Sequence, residues 1–80
     1  MEIKVSSIVR SIAGRDKGTV FLVVARDGEY AYVSDGKLRK IEKPKKKKIK
    51  HLQGTDYVFE GDFSENYKIR NALAKYQKTV

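Results

Sequence analysis

The sequence predicts a mostly β fold: a small curled antiparallel barrel followed by a C-terminal helix. Three observations predict it. Residues 19–24 are β-branched and aromatic, two Asp-Gly pairs punctuate the segments that follow, and the apolar spacing becomes helical beyond Asp62. Eighty residues make one domain with a thin core, and no disulfide or thiolate metal site can brace it because cysteine is absent. Residues 1–61 form the barrel, including a basic segment at 37–51, and residues 62–80 form a helix packed on it. Neither a linker nor an internal repeat interrupts this order.

Ile3, Val5, Ile8 and Val9 give a broken apolar pattern suited to a first strand. The run Thr19-Val20-Phe21-Leu22-Val23-Val24 reads as a strand covered on both faces or curled around a core. Asp27-Gly28 is a hairpin signal, and the next strand, residues 30–34, puts Tyr30 and Tyr32 on one face and Ala31 and Val33 on the other. Asp35-Gly36 then turns the chain into a third strand over residues 37–41, inside which the basic segment begins. Pro44 disfavours a central strand there, and four adjacent lysines weaken a helix. Leu38 and Ile41 before the run, with Ile49 and Leu52 after it, are expected to tether it as a loop or edge of the barrel.

Gln53-Gly54-Thr55-Asp56 reads as a turn and Tyr57-Val58-Phe59 as a short last strand. Asp62 with Glu65 three residues on resembles a capping box. Ile69, Ala72, Leu73 and Tyr76 then form one stripe of a helix over residues 63–77.

Charge is unevenly distributed. Residues 1–36 carry five cations and five anions, and residues 51–80 carry four of each. Residues 37–50 carry nine cations and one anion, Glu42, so the whole formal excess of +8 sits in fourteen residues. Such a concentrated field attracts polyanions or anionic membrane surfaces. The absence of cysteine, of a secretory h-region and of any apolar run longer than residues 20–25 fits a cytoplasmic chain that does not cross a membrane.

Several chemistries are disfavoured. Ser6, Ser7, Ser11, Ser34 and Ser64 have no evident base partner, and the sole histidine, His51, stands among lysines. The carboxylates Asp27, Glu29 and Asp35 lie near hairpin turns, where structural roles suffice. No enzyme, cofactor, metal site or small-molecule substrate is therefore expected. Gly14 and Gly18 flank a loop that feeds a strand, whereas a Walker loop or a dinucleotide fingerprint opens a helix.

Residues 9–21, Val-Arg-Ser-Ile-Ala-Gly-Arg-Asp-Lys-Gly-Thr-Val-Phe, resemble a KOW motif, the glycine-centred loop and strand of several ribosomal proteins and of the transcription factor NusG. The wider pattern SxxGRDKGxxFxVV followed by YxxVxDGxxRKxxxPKKKxxKHL resembles small bacterial KOW-domain RNA-binding proteins, relatives of KOW-bearing large-subunit ribosomal proteins of archaea and eukaryotes. The resemblance covers residues 6–53. It implies an SH3-like barrel that binds structured RNA, ribosomal RNA first among candidates, within the ribosome or its assembly. Ribosomal proteins would be neighbours in such a ribonucleoprotein of translation, and the free protein is expected to be a monomer.

On that resemblance Gly14, Asp16 and Gly18 belong to the KOW turn, with Arg15 and Lys17 at its tip. Arg39, Lys40, Lys43, Lys45, Lys46, Lys47, Lys48, Lys50 and His51 complete the expected RNA-binding set. Lysines supply charge contacts to phosphate, whereas Arg15 and Arg39 are the candidates for recognising shape or a base edge. Asp16 is expected to orient Arg15 or Lys17, or to cap the turn. Tyr30 and Tyr32 offer a stacking platform or core packing, and His51 an RNA contact or a bond to a backbone carbonyl. Two alternatives stand beside RNA binding: a protein-docking KOW module of translation or transcription, and a membrane-surface binder using the lysine run.

Overall fold

A computed structural model describes residues 2–79. Five strands, β1 (Ser7–Ser11), β2 (Val20–Asp27), β3 (Tyr30–Ser34), β4 (Lys45–Lys48) and β5 (Leu52–Val58), form one sheet in the order β4-β3-β2-β1-β5. Every pairing is antiparallel. A 3-10 turn, Ile49–His51, joins β4 to β5, and the helix α1 (Asn66–Thr79) closes the chain. The protein is thus mostly β, with one C-terminal helix.

Strand alternation makes two cores. Phe21 and Val23 of β2 point to one face, where they meet Val9, Ala31, Val33 and Leu52, with Ile3 and Ile49 packed around them. Val20 and Leu22 point to the other face, where α1 lays Ile69, Leu73 and Tyr76 against them and Ile8. The central strand is therefore covered on both sides, which is why its sequence shows an unbroken apolar run instead of an alternating one. Ile69, Ala72, Leu73 and Tyr76 are all buried, in keeping with the stripe read from the sequence.

Turn chemistry sets the connections. Asp27 pairs with Tyr30, so the hairpin loop is Gly28-Glu29, one residue later than the Asp-Gly signal suggests. Gly28 takes a φ of +58° at the first central position, as mirror-image hairpin turns require. The sheet bulges twice: between Val23 and Ala25 opposite β3, and between Ser7 and Val9 opposite β5. Asp56 has a φ of +69° in the second bulge, so the expected turn at residues 53–56 is instead a kink within one continuous strand.

Three expectations are corrected after β3. Residues 37–41 form no strand; they belong to a loop that runs to Pro44, and the basic strand starts at Lys45. Leu38 is no anchor, being 90% exposed, whereas Ile41 and Ile49 pack on the two cores and Leu52 is buried. The helix begins three residues later than its pattern suggested. Asp62 accepts a hydrogen bond from Ser64 N at 2.8 Å and so closes an Asx turn ahead of the helix instead of capping it.

The loop after β3 is clamped to the helix. Arg70 Nη1 donates to Gly36 O at 2.8 Å, and Ile41 N donates to Asn66 Oδ1 at 2.8 Å. Asn66 Nδ2 in turn donates to Glu42 Oε1 at 2.9 Å, which helps hold the Glu42 carboxyl below its ordinary range. Gly36 has a φ of +74°, and a Cβ there would lie 2.5 Å from Asn66 O and 2.9 Å from Arg70 Cγ. Gly36→Ala is expected to cost about 3 kcal/mol from backbone strain and overpacking together. Gly28→Ala meets open space and should cost only about 1 kcal/mol. Thermal unfolding of the two variants checks the difference; equal midpoints would show that the helix contact at Gly36 yields freely.

Candidate nucleic-acid interface

The glycine loop is built from reciprocal backbone bonds. Ser11 N donates to Thr19 O and Gly18 N to Ser11 O, at 2.9 and 2.8 Å, while Thr19 N donates to Asp16 O at 2.8 Å. Gly14 and Gly18 take φ values of +84° and +93°, which is what this fold of the loop needs. Arg15 and Lys17 stand exposed at its tip, where the sequence placed them. Arg10, which the sequence did not single out, braces the far side by donating from Nη1 to Gly18 O at 3.0 Å.

Asp16 turns away from both expected partners. Its Oδ1 lies 2.7 Å from Lys47 Nζ and 2.7 Å from the Ser11 hydroxyl, and its Oδ2 lies 3.1 Å from Lys45 Nζ. Lys47 Nζ also donates to Ser11 Oγ at 2.9 Å and to Ala13 O at 3.1 Å. Burial works to raise the Asp16 carboxyl, but the hydrogen bonds from Lys47 and Ser11, with the adjacent Lys45 ammonium, outweigh it and hold the group well below its ordinary 3.8. The contact between Oδ2 and Lys45 is an ion pair without hydrogen-bond alignment. This network fastens the glycine loop to strand β4, two segments some thirty residues apart in sequence.

Period-two geometry divides the four lysines of β4. Lys47 stands opposite Ala31 and Lys45 opposite Val33, so both share the face of the first core. Lys47 is buried, its side chain only 6% exposed. Lys47 is therefore corrected from a phosphate contact to an internal cation, because its ammonium is enclosed by Asp16, Ser11 and Ala13. Lys46 and Lys48, opposite Tyr32 and Tyr30, are exposed on the other face. Lys46 Nζ sits 4.3 Å from the centre of the Tyr30 ring, a cation–π contact that covers one face of that ring. Tyr32 is half-buried beside it.

Two concave surfaces result. One, of about 440 Å³, is lined by Arg15, Asp16, Phe21, Leu38, Arg39 and Lys45, among others. It brings together the two arginines that sequence reasoning nominated from separate segments. The other, of about 580 Å³, lies along Arg26, Tyr30, Lys48 and Lys50 beside the β2–β3 hairpin. Arg26 was not foreseen; it also donates to Ile3 O, which holds the N-terminal segment in place. Lys40 and Lys43 are exposed on the connecting loop. His51 is half-buried, and its backbone carbonyl accepts from Ile12 N at 3.0 Å.

Among the described residues no cluster of His, Cys, Asp or Glu is arranged to hold a metal ion, and no helix is long and apolar enough to cross a membrane. Fold and site together define a small antiparallel β domain, covered by one helix, whose edge strand and adjoining loops display the basic residues. No family model matches the chain, and no curated protein matches it.

Proposed function

We propose that this protein binds structured RNA, with ribosomal RNA the leading candidate, and that its sheet is an SH3-like barrel of the KOW type. The observation that carries the reading is the convergence of Arg15 on the glycine loop with Arg39 and Lys45 in one hollow. Two of these three cations, Arg39 and Lys45, come from the basic segment holding the chain's whole positive excess. Lysines on an edge strand also guard it against pairing with other sheets, and this role accounts for charge on β4. It does not account for two arginines meeting a lysine in a recess.

In this reading Lys46, Lys48 and Lys50 hold phosphates, with Lys40 and Lys43 extending the track along the loop. Arg15 and Arg39 recognise a base edge or a bend of the backbone, because a guanidinium offers a planar fork of donors that an ammonium lacks. The site would act within a ribosomal ribonucleoprotein or its assembly, in the cytoplasm. Crosslinking in cells followed by sequencing of the recovered RNA tests class and target together; recovery of no RNA above background would sink the proposal. Arg15→Lys is expected to narrow the preference between two structured RNAs by about tenfold, the value of one bidentate contact, with little change in thermal midpoint. Competition binding checks it, and equal losses on every RNA would remove Arg15 from recognition.

A further inference from the structure

Leu38 is the most exposed large apolar side chain among the described residues, at 90%; the next, Tyr67, is 48% exposed. Isolated surface leucines are common and ordinarily need no explanation. This one differs in the stiffness of its support and in its surroundings.

The Asp35 carboxylate accepts from the amides on both sides of Leu38, Lys37 N at 2.9 Å and Arg39 N at 3.0 Å. Arg39 O accepts from Asp35 N, Gly36 N and the Ser34 hydroxyl, at 3.1, 3.2 and 2.6 Å. Arg70 pins Gly36 from the helix. The loop is thus ordered before any ligand arrives, so little further conformational freedom is lost when Leu38 makes a contact.

The surroundings select the ligand. Leu38 projects beside Lys37, Arg39 and Lys40, and it borders the hollow of about 440 Å³ that Arg15 and Lys45 also line. Cations on this scale favour a polyanion. In a nucleic acid, apolar surface becomes available to a side chain where a base has left its stack. A bilayer would meet a protruding leucine but could not fill the recess beneath it, whereas an extruded base fits between an aliphatic side chain and guanidinium groups.

We propose that Leu38 packs against an unstacked nucleobase, so that the preferred ligand is an RNA with a bulged or looped-out nucleotide and not an uninterrupted duplex. This rests on the RNA-binding reading above and adds the ligand's local structure to it.

The test uses a perfectly paired RNA hairpin and the same hairpin with one bulged nucleotide, each titrated against the full chain across one common salt series. Wild type should prefer the bulged hairpin by about tenfold, the value of removing about 55 Å² of apolar surface from water. Leu38→Ser should abolish that preference and Leu38→Met should retain it, with the salt slope unchanged in both. Because the side chain is solvent-exposed, all three proteins should unfold at the same temperature. Equal binding of the two hairpins by wild type overturns the inference alone, as does an undiminished preference in Leu38→Ser. Binding of neither hairpin overturns the RNA-binding reading and the inference with it. Vesicles containing phosphatidylserine form a last arm: Leu38-dependent binding there, without discrimination between hairpins, would assign the leucine to a membrane surface and overturn the inference.

Discussion

Asp16→Ala is expected to destabilise the protein by about 3 kcal/mol, the lower part of the range for stripping one partner from a buried ion pair. For a domain of this size that is a drop of roughly 12–24 °C in thermal midpoint. The loss arises from Lys47, whose ammonium is enclosed and would keep only Ser11 and Ala13 as acceptors. The double substitution Asp16→Ala with Lys47→Met should recover most of the loss, because an apolar side chain of similar length no longer needs a counter-charge. A single variant as stable as wild type would show that Lys47 does not depend on the carboxylate.

The same pair gives an acid limit. The folded-state carboxyl of Asp16 lies below its ordinary 3.8, so its contribution is fully present above that value and is lost as pH falls through and below it. Thermal midpoints of wild type and Asp16→Asn should therefore converge on acidification from neutral pH to about pH 2. Asp62 is also held down, to about 2, by hydrogen bonds from Lys68 first and Ser64 next. That site is exposed, so its share should fade with added salt, whereas the enclosed Asp16 network should not.

Neutralising Lys46, Lys48 and Lys50 together with glutamine should weaken RNA binding by about two orders of magnitude at 0.1 M salt. The slope of log affinity against log salt should become shallower by about 2 to 3, since each phosphate contact releases most of one counterion. These residues are exposed, and the folded protein should be little affected. Substituting Lys45 and Lys47 instead should lower stability more than it changes the slope, because both are engaged by Asp16. Filter binding across a salt series, with unfolding curves for each variant, separates the two sets. An unchanged slope in the triple variant would remove the outer lysines from the interface.

Much of this architecture was legible in the residues. The run at residues 19–24 announced a strand covered on both faces or curled around a core, and the first holds: Val20, Phe21, Leu22 and Val23 are all buried, divided between two cores. The tyrosines and the small apolar residues of β3 fell on opposite faces as their alternation required. Failures clustered where local pattern carries no register. Leu38 looked like an anchor because it stood between cations in what read as a strand. The backbone there bonds instead to Asp35 and Ser34, and the loop turns the leucine outward. Asp16 looked like a servant of its neighbours in sequence, and its partners came from β4.

The sequence by itself determined a mostly β chain with one C-terminal helix, the site of the positive excess and the two glycines of the loop, because periodicity, charge and backbone freedom are written in neighbouring residues. Only the tertiary structure decided which lysine is which. A run of four identical side chains contains no mark of phase, so inside and outside cannot be told apart within it. The phase came from β3, where the burial of Ala31 and Val33 obliges Lys47 and Lys45, their cross-strand partners, to face inward and leaves Lys46 and Lys48 to the solvent.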